Sequence, residues 1–176
     1  GDWLAAIGSP APSTRFDVRL QISAAALFGI KHMSQVKLHL GAKRFEAKIA
    51  LLQTARKLAP GEECLAQVMT ERPVLCSHGD RFLLRDFGET ATLGGGIVLD
   101  PAGAEQERNT ADRRQYLETL TAATMADVVQ RYIVMADNTL NMDKLLQCWN
   151  STRALDDLPR PAGVVSVMTE AGECWL

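Results

Sequence analysis

The chain has 176 residues, 47% of them apolar and 23% charged, with a formal net charge of −2. That composition is ordinary for a globular protein and leaves room for one large domain or two small ones, each with its own core. No run of about 18 apolar residues exists and the N-terminus lacks the basic and apolar regions of a signal peptide, so the expectation is a cytoplasmic chain with no membrane partner.

Charge is unevenly divided. Up to Ala104 there are 12 Lys and Arg against 10 Asp and Glu, and from Glu105 onward 7 against 11. Phosphate neutralisation supplies much of nucleic-acid affinity, so the acidic second half is a poor candidate for binding nucleic acid alone. Cys64, Cys76, Cys148 and Cys174 form no CxxC pair and read as reduced thiols. His32, His39 and His78 stand singly rather than at metal-ligand spacing, and His39 reads as a solvent-facing strand residue.

Gly1 to Ser13, punctuated by Pro10 and Pro12, reads as a linker leaving a preceding element. From Arg15 to Ile22 the chain alternates, with Phe16, Val18, Leu20 and Ile22 on one face and Asp17, Arg19 and Gln21 on the other, as in a half-buried antiparallel strand. Val36, Leu38 and Leu40 continue the pattern, and after a turn at Gly41 to Lys43 so do Phe45, Ala47, Ile49 and Leu51. Pro60-Gly61 marks a turn before Cys64, Ala66 and Val68 resume period two, and Glu71-Arg72-Pro73 breaks the run before Val74. His78-Gly79-Asp80 then turns into Arg81 to Arg85, an apolar trio bracketed by arginines.

Gly94, Gly95 and Gly96 precede a second apolar trio, Ile97 to Leu99, stopped at Asp100-Pro101. Three residues without Cβ permit positive φ or close approach of another backbone, which suits a bulge, a barrel corner or a surface met by a partner. About seven short strands at this spacing predict a small closed barrel or sandwich.

Asp100 to Asn109 is polar and irregular and reads as the domain boundary. Beyond it, Asp112 is placed to cap a helix through Ala122 that buries Tyr116, Leu117 and Leu120. Thr124 with Asp127 resembles a capping box for a second helix to Ala136, whose apolar face holds Val128, Val129, Tyr132, Ile133 and Met135. A third helix, Met142 to Trp149, and a short fourth, Arg153 to Leu158, precede two strand-like runs, Val164 to Met168 and Glu173 to Leu176. Three helices and a hairpin is the winged-helix order, although Asp156 and Asp157 between Arg153 and Arg160 weaken any claim to duplex reading.

No GxxxxGK[ST], GxSxG or HExxH occurs, and no convergent nucleophile, base or metal set is visible. The reading is a binding protein with no catalytic or metal residues. A DNA-binding winged-helix regulator with a ligand-sensing barrel is the alternative, and a barrel enzyme with a small-molecule pocket is the remaining reading. On the barrel half, Lys43, Arg44, Arg56 and Lys57 read as solvated strand-end charges, whereas Arg81 and Arg85 sit beside the glycine run and offer donor forks suited to phosphate.

The run GDRFLLRDFGETATLGGGIVLDP, from Gly79 to Pro101, resembles the closing strands of the third domain of selenocysteine-specific translation elongation factors, the selenocysteinyl-tRNA counterparts of elongation factor Tu. GDWL at Gly1 to Leu4, VKLHLGAKRFEAKIALL at Val36 to Leu52 and LAPGEECLAQVMTERP at Leu58 to Pro73 support the resemblance in the same order. It implies a mainly β domain, a closed antiparallel barrel like domain III of elongation factor Tu, at 15–101. A 1–14 linker from a preceding domain comes before it, and a 102–111 linker and a small α+β winged-helix domain at 112–176 follow.

The resemblance further implies an excised, non-catalytic fragment whose barrel helps bind selenocysteinyl-tRNA and packs on an absent GTPase domain. The winged helix then leads toward distal modules that bind the mRNA selenocysteine insertion hairpin on the ribosome. GTP and magnesium belong to the parent protein, with no cofactor expected here. Candidate RNA-binding residues are Arg81, Arg85, Thr90, Thr92, Gly94 and Gly95, contacting mainly phosphate and ribose.

Overall fold

The structure, a computed structural model, describes residues 11–53, 56–122, 124–135, 140–149, 164–170 and 172–175. The expected linker up to residue 10 and the expected helix Arg153 to Leu158 lie outside the described residues, as do the side chains of Ile133 and Met135.

Six strands close a barrel: β1 (Ser13–Ile22), β3 (Ser34–Leu40), β4 (Lys43–Leu51), β6 (Glu63–Val74), β7 (Arg81–Asp86) and β8 (Thr92–Asp100), after a two-residue β2 (Ile30–Lys31) and β5 (Lys57–Leu58) are set apart as their own small ribbon. Around the barrel the order is β1-β6-β4-β3-β7-β8, with β8 pairing back on β1, and every pairing is antiparallel. Closure leaves no free sheet edge.

The alternation in the sequence decides what is inside. Phe16, Val18, Leu20, Ile22, Val36, Leu38, Leu40, Ile49, Leu51, Val68, Phe82, Leu84 and Val98 fill the barrel, each essentially inaccessible. Burying one such side chain is worth ~1.5–3 kcal/mol, so the period-two pattern outweighs local propensity. β6 runs further than the Glu71-Arg72-Pro73 break suggests. Its pairing with β1 shifts register between Ser13 and Arg15, and such an irregularity is where a strand tolerates a proline.

The triple glycine lies inside β8 rather than in a turn. Gly94 pairs with Ile22 and Leu84, Gly95 with Gln21 and Leu83, and Gly96 with Leu20 and Phe82. Positive φ is not used there; among the described residues the glycines with positive φ are Gly41, Gly61, Gly79 and Gly172. Close approach is used instead, because a Cβ on Gly95 would stand 2.3 Å from the Phe82 carbonyl oxygen and one on Gly96 2.0 Å from that of Arg19.

After the barrel come α1 (Ala111–Thr119), α2 (Met125–Met135), β9 (Leu140–Asn141), α3 (Met142–Cys148) and the hairpin β10 (Ser166–Thr169) and β11 (Gly172–Trp175), the last three strands forming a sheet in the order β10-β11-β9. Thr110, not Asp112, caps α1, its hydroxyl accepting from the Arg113 amide at 3.2 Å while Asp112 sits in the first turn. Thr124 and Asp127 do form a box: the Thr124 hydroxyl accepts from the Asp127 amide at 3.1 Å and donates to its carboxylate at 2.7 Å.

A second core joins the helices to the outside of the barrel. Leu52, Leu65 and Leu99 pack there with Leu117, Leu120, Val128, Val129, Met142, Leu145 and Trp175. Asp17 and Asp100, cross-strand partners at a register shift, are fully buried on the same side. Arg113 of α1 spans both: its Nε and Nη2 donate to Asp17 Oδ2 at 3.0 and 2.5 Å, and Nη2 donates to Asp100 Oδ2 at 2.8 Å.

Candidate nucleic-acid interface

The outer face of β8, β7 and β3 carries the candidate residues. Register places them in rows across the sheet: Gly95, Leu83, His39 and Arg44 form one, and Thr92, Arg85, Lys37 and Glu46 the next. With no side chain at Gly95, the first row opens into a shallow concavity of about 840 Å³ lined by Gln21, Ser23, His39, Gly41, Arg81, Leu83, Thr92, the three glycines and Ile97. The structure therefore brings Arg81, Thr92, Gly94 and Gly95 to one surface.

Arg85, near the end of β7, and Thr90, in the turn between β7 and β8, do not line that concavity; their side chains brace the turn. Arg85 Nη2 donates to the Glu89 carbonyl at 2.6 Å, and the Thr90 hydroxyl donates to Asp86 Oδ2 at 3.0 Å. Asp86 anchors this turn further, accepting from the Ala91 amide at 2.5 Å, and that bond holds its carboxyl below the usual carboxylate range. Glu89, at φ 59°, pairs with Arg44 at 2.9 Å, so Arg44 is tied to the turn rather than simply solvated.

His39 departs from its expected solvent-facing position. It is half-buried on the concavity and its Nε2 is buried with no hydrogen-bond partner in the protein. Alternation alone put it outside the barrel; that the outer face is itself hollow there depends on Gly95 two strands away, which no local pattern reports. Leu83 beside it is 57% exposed, giving the face an apolar centre with Arg81 at its rim.

The second polar cluster lies between barrel and helices. Gln67 Nε2 donates to Asp17 Oδ1 at 2.9 Å and to the Ala104 carbonyl at 2.8 Å, and the Cys148 thiol donates to Asp100 Oδ1 at 3.5 Å. Burial raises the Asp17 carboxyl above the usual range, against the pull of Arg113. His78 packs against Trp149 with ring centres 3.9 Å apart and planes tilted by 46°, and meets the Leu99 carbonyl through Nδ1 at 2.9 Å; burial lowers its pKa. The Cys76 thiol is pushed up to about 12 by burial, which keeps it unreactive. Among the described residues no group of three or more His, Cys, Asp or Glu is placed to hold a metal.

The architecture is a closed six-stranded antiparallel barrel, extended by helices and a small sheet and bearing a glycine-floored outer face. Residues 14–105 match the family model of the selenocysteine-specific elongation factor beta-barrel domain. The chain belongs to that family. It is 32% identical over 125 residues to the selenocysteine-specific elongation factor of Desulfomicrobium baculatum and 30% identical over 127 residues to that of Haemophilus influenzae. These alignments cover 71% and 72% of this chain but 19% and 20% of the relatives, so the chain spans about a fifth of their length. In fold it is similar to a crystal structure of a bacterial selenocysteine-specific elongation factor, EF-Sec, with a TM-score of 0.60 and 15% identity, covering 95% of this chain and 24% of that one.

Proposed function

We propose that the barrel forms part of the surface that binds selenocysteinyl-tRNA in a selenocysteine-specific elongation factor. One observation carries the reading: Arg81 and Thr92 line a concavity whose floor, at Gly95, carries no side chain to hold a partner off. A guanidinium, a hydroxyl and a floor without a side chain suit the close approach of phosphate and ribose, the groups through which A-form RNA is mainly met. In the same proposal 15–101 is the barrel, 102–111 the connection and 112–176 a winged-helix module. The order α1, α2, β9, α3, β10, β11, with β9 joining the hairpin, supports that module.

The barrel would pack on a GTPase domain that supplies GTP and magnesium chemistry, and the helical module would lead toward the parts that engage the mRNA insertion hairpin at the ribosome, in the cytoplasm. Arg81→Ala tests the face directly. Titration with selenocysteine tRNA at low salt is expected to show about three- to tenfold weaker binding for the variant, the loss of one charge-assisted contact. Equal affinities for Arg81→Ala and the parent chain would contradict the placement of RNA on this face.

A further inference from the structure

Phe87 stands apart from the barrel core at the start of the β7–β8 turn, 48% exposed. The turn is rigidly held: the Asp86 amide donates to the Ala91 carbonyl at 3.0 Å, the Glu89 amide to the Asp86 carbonyl at 2.9 Å, and Asp86, Thr90 and Arg85 add the side-chain bonds already described. An exposed aromatic on a pre-ordered turn loses little entropy on binding, which favours its use as an anchor. One side of the ring carries the Lys37 ammonium, 4.5 Å from its centroid.

Beside the ring lies a cavity of about 180 Å³, lined with Phe87 by Gln35, Glu46, Lys48, Met69, Thr70 and Glu71. That is smaller than the ~300–1,000 Å³ of sites for drug-sized ligands and suits a single planar ring. Glu46 and Glu71 offset Lys48 and the adjacent Lys37, so an anion gains nothing there. The amide, hydroxyl, ammonium and carboxylate groups supply both donors and acceptors, and Met69 and Phe87 supply apolar faces. Those are the requirements of a neutral heterocycle with polar edges.

From these features we infer that the cavity beside Phe87 takes one unpaired nucleobase of a bound RNA, stacked on the ring. The inference rests on the RNA-binding reading and extends it. Glu46, which lines the cavity, is the cross-strand partner of Lys37, Lys37 of Arg85 and Arg85 of Thr92, so the cavity lies at the far end of a row that starts on the proposed RNA face. A paired base cannot enter, because its edge and faces are already engaged; a bulged or loop base can.

The test uses the whole chain and two RNA hairpins with the same stem, one uninterrupted and one carrying a single bulged 2-aminopurine. The parent chain is expected to bind the bulged hairpin about tenfold more tightly and to change the 2-aminopurine emission, the range that one base–aromatic stack supplies. Phe87→Ala brings the two probes to equal affinity and abolishes the emission change. Phe87→Leu, which keeps apolar bulk without a π face, loses the emission change too, and covers the case in which alanine disturbs the turn. Equal binding of both probes by the parent chain, or a preference that survives both substitutions, overturns the inference. If Arg81→Ala weakens both probes while Phe87→Ala alters neither, the RNA face stands and the base site falls, as it would if Phe87 served a protein partner. No binding of either hairpin sinks both.

Discussion

At the junction of barrel and helices, two fully buried carboxylates share one guanidinium. Arg113 bridges Asp17 and Asp100, and desolvation pushes the Asp17 carboxyl upward. Leaving a buried charge without its partner costs ~3–5 kcal/mol, so Arg113 holds the junction closed even though the intact cluster adds little net stability. The consequence for pH runs against the usual carboxylate pattern. A folded-state pKa above the ordinary value makes the Asp17 contribution greatest in acid, and it is lost as pH rises through the raised pKa. His78, whose pKa is lowered, contributes stability above its ordinary 6.5 that is lost as pH falls through the lowered pKa. Melting temperatures from pH 8 to 4 are therefore expected to show Asp17→Asn losing stability relative to the parent chain as the pH falls. An Asp17→Asn profile parallel to that of the parent would refute the account of Asp17. Sequence alternation placed Asp17 on the polar outer face, which is correct, but that this face is sealed by α1 follows only from tertiary packing. Arg113, 96 residues further on, gave no local sign of its partner.

Among the elements, the strands were the most legible. Their apolar residues recur at period two because one face of each must meet the barrel interior, and the expected spans of β1, β3, β4 and β7 agree with the structure to within about two residues. The glycine run was legible as a place of close approach but not as to what approaches. Its neighbours are the chain's own strands, β1 and β7. Such pairing has a sharp consequence for Gly95→Val. A Cβ there meets the Phe82 carbonyl oxygen at 2.3 Å and Leu83 Cδ2 at 3.3 Å, and since the first is backbone the ladder itself must shift. Overpacking of this kind costs ~1–3 kcal/mol or more, a fall of several degrees in melting temperature for a chain of this size. RNA affinity and melting temperature are expected to drop together in thermal melts and binding assays; lost binding at an unchanged melting temperature would show that the glycine serves the partner alone.

On the scale of the whole molecule, barrel and helices share a core through Leu52, Leu65 and Leu99 on one side and Leu117, Val128 and Trp175 on the other. The polar stretch from Asp100 to Asn109 was read as a boundary from its composition, and composition does not reveal that Asp100 is buried or that Gln67 holds the Ala104 carbonyl. Charge placement was legible at this scale. The basic excess lies on the barrel half and the acidic excess on the helical half, which is consistent with the proposal that RNA meets the barrel. That assignment is tested most directly by a salt titration of the whole chain against selenocysteine tRNA and an unrelated DNA duplex. The account predicts tighter binding of the tRNA throughout, with log affinity falling linearly in log salt at a slope of a few phosphate contacts. Equal affinity for the two, or binding indifferent to salt, would contradict an RNA-binding face on this barrel.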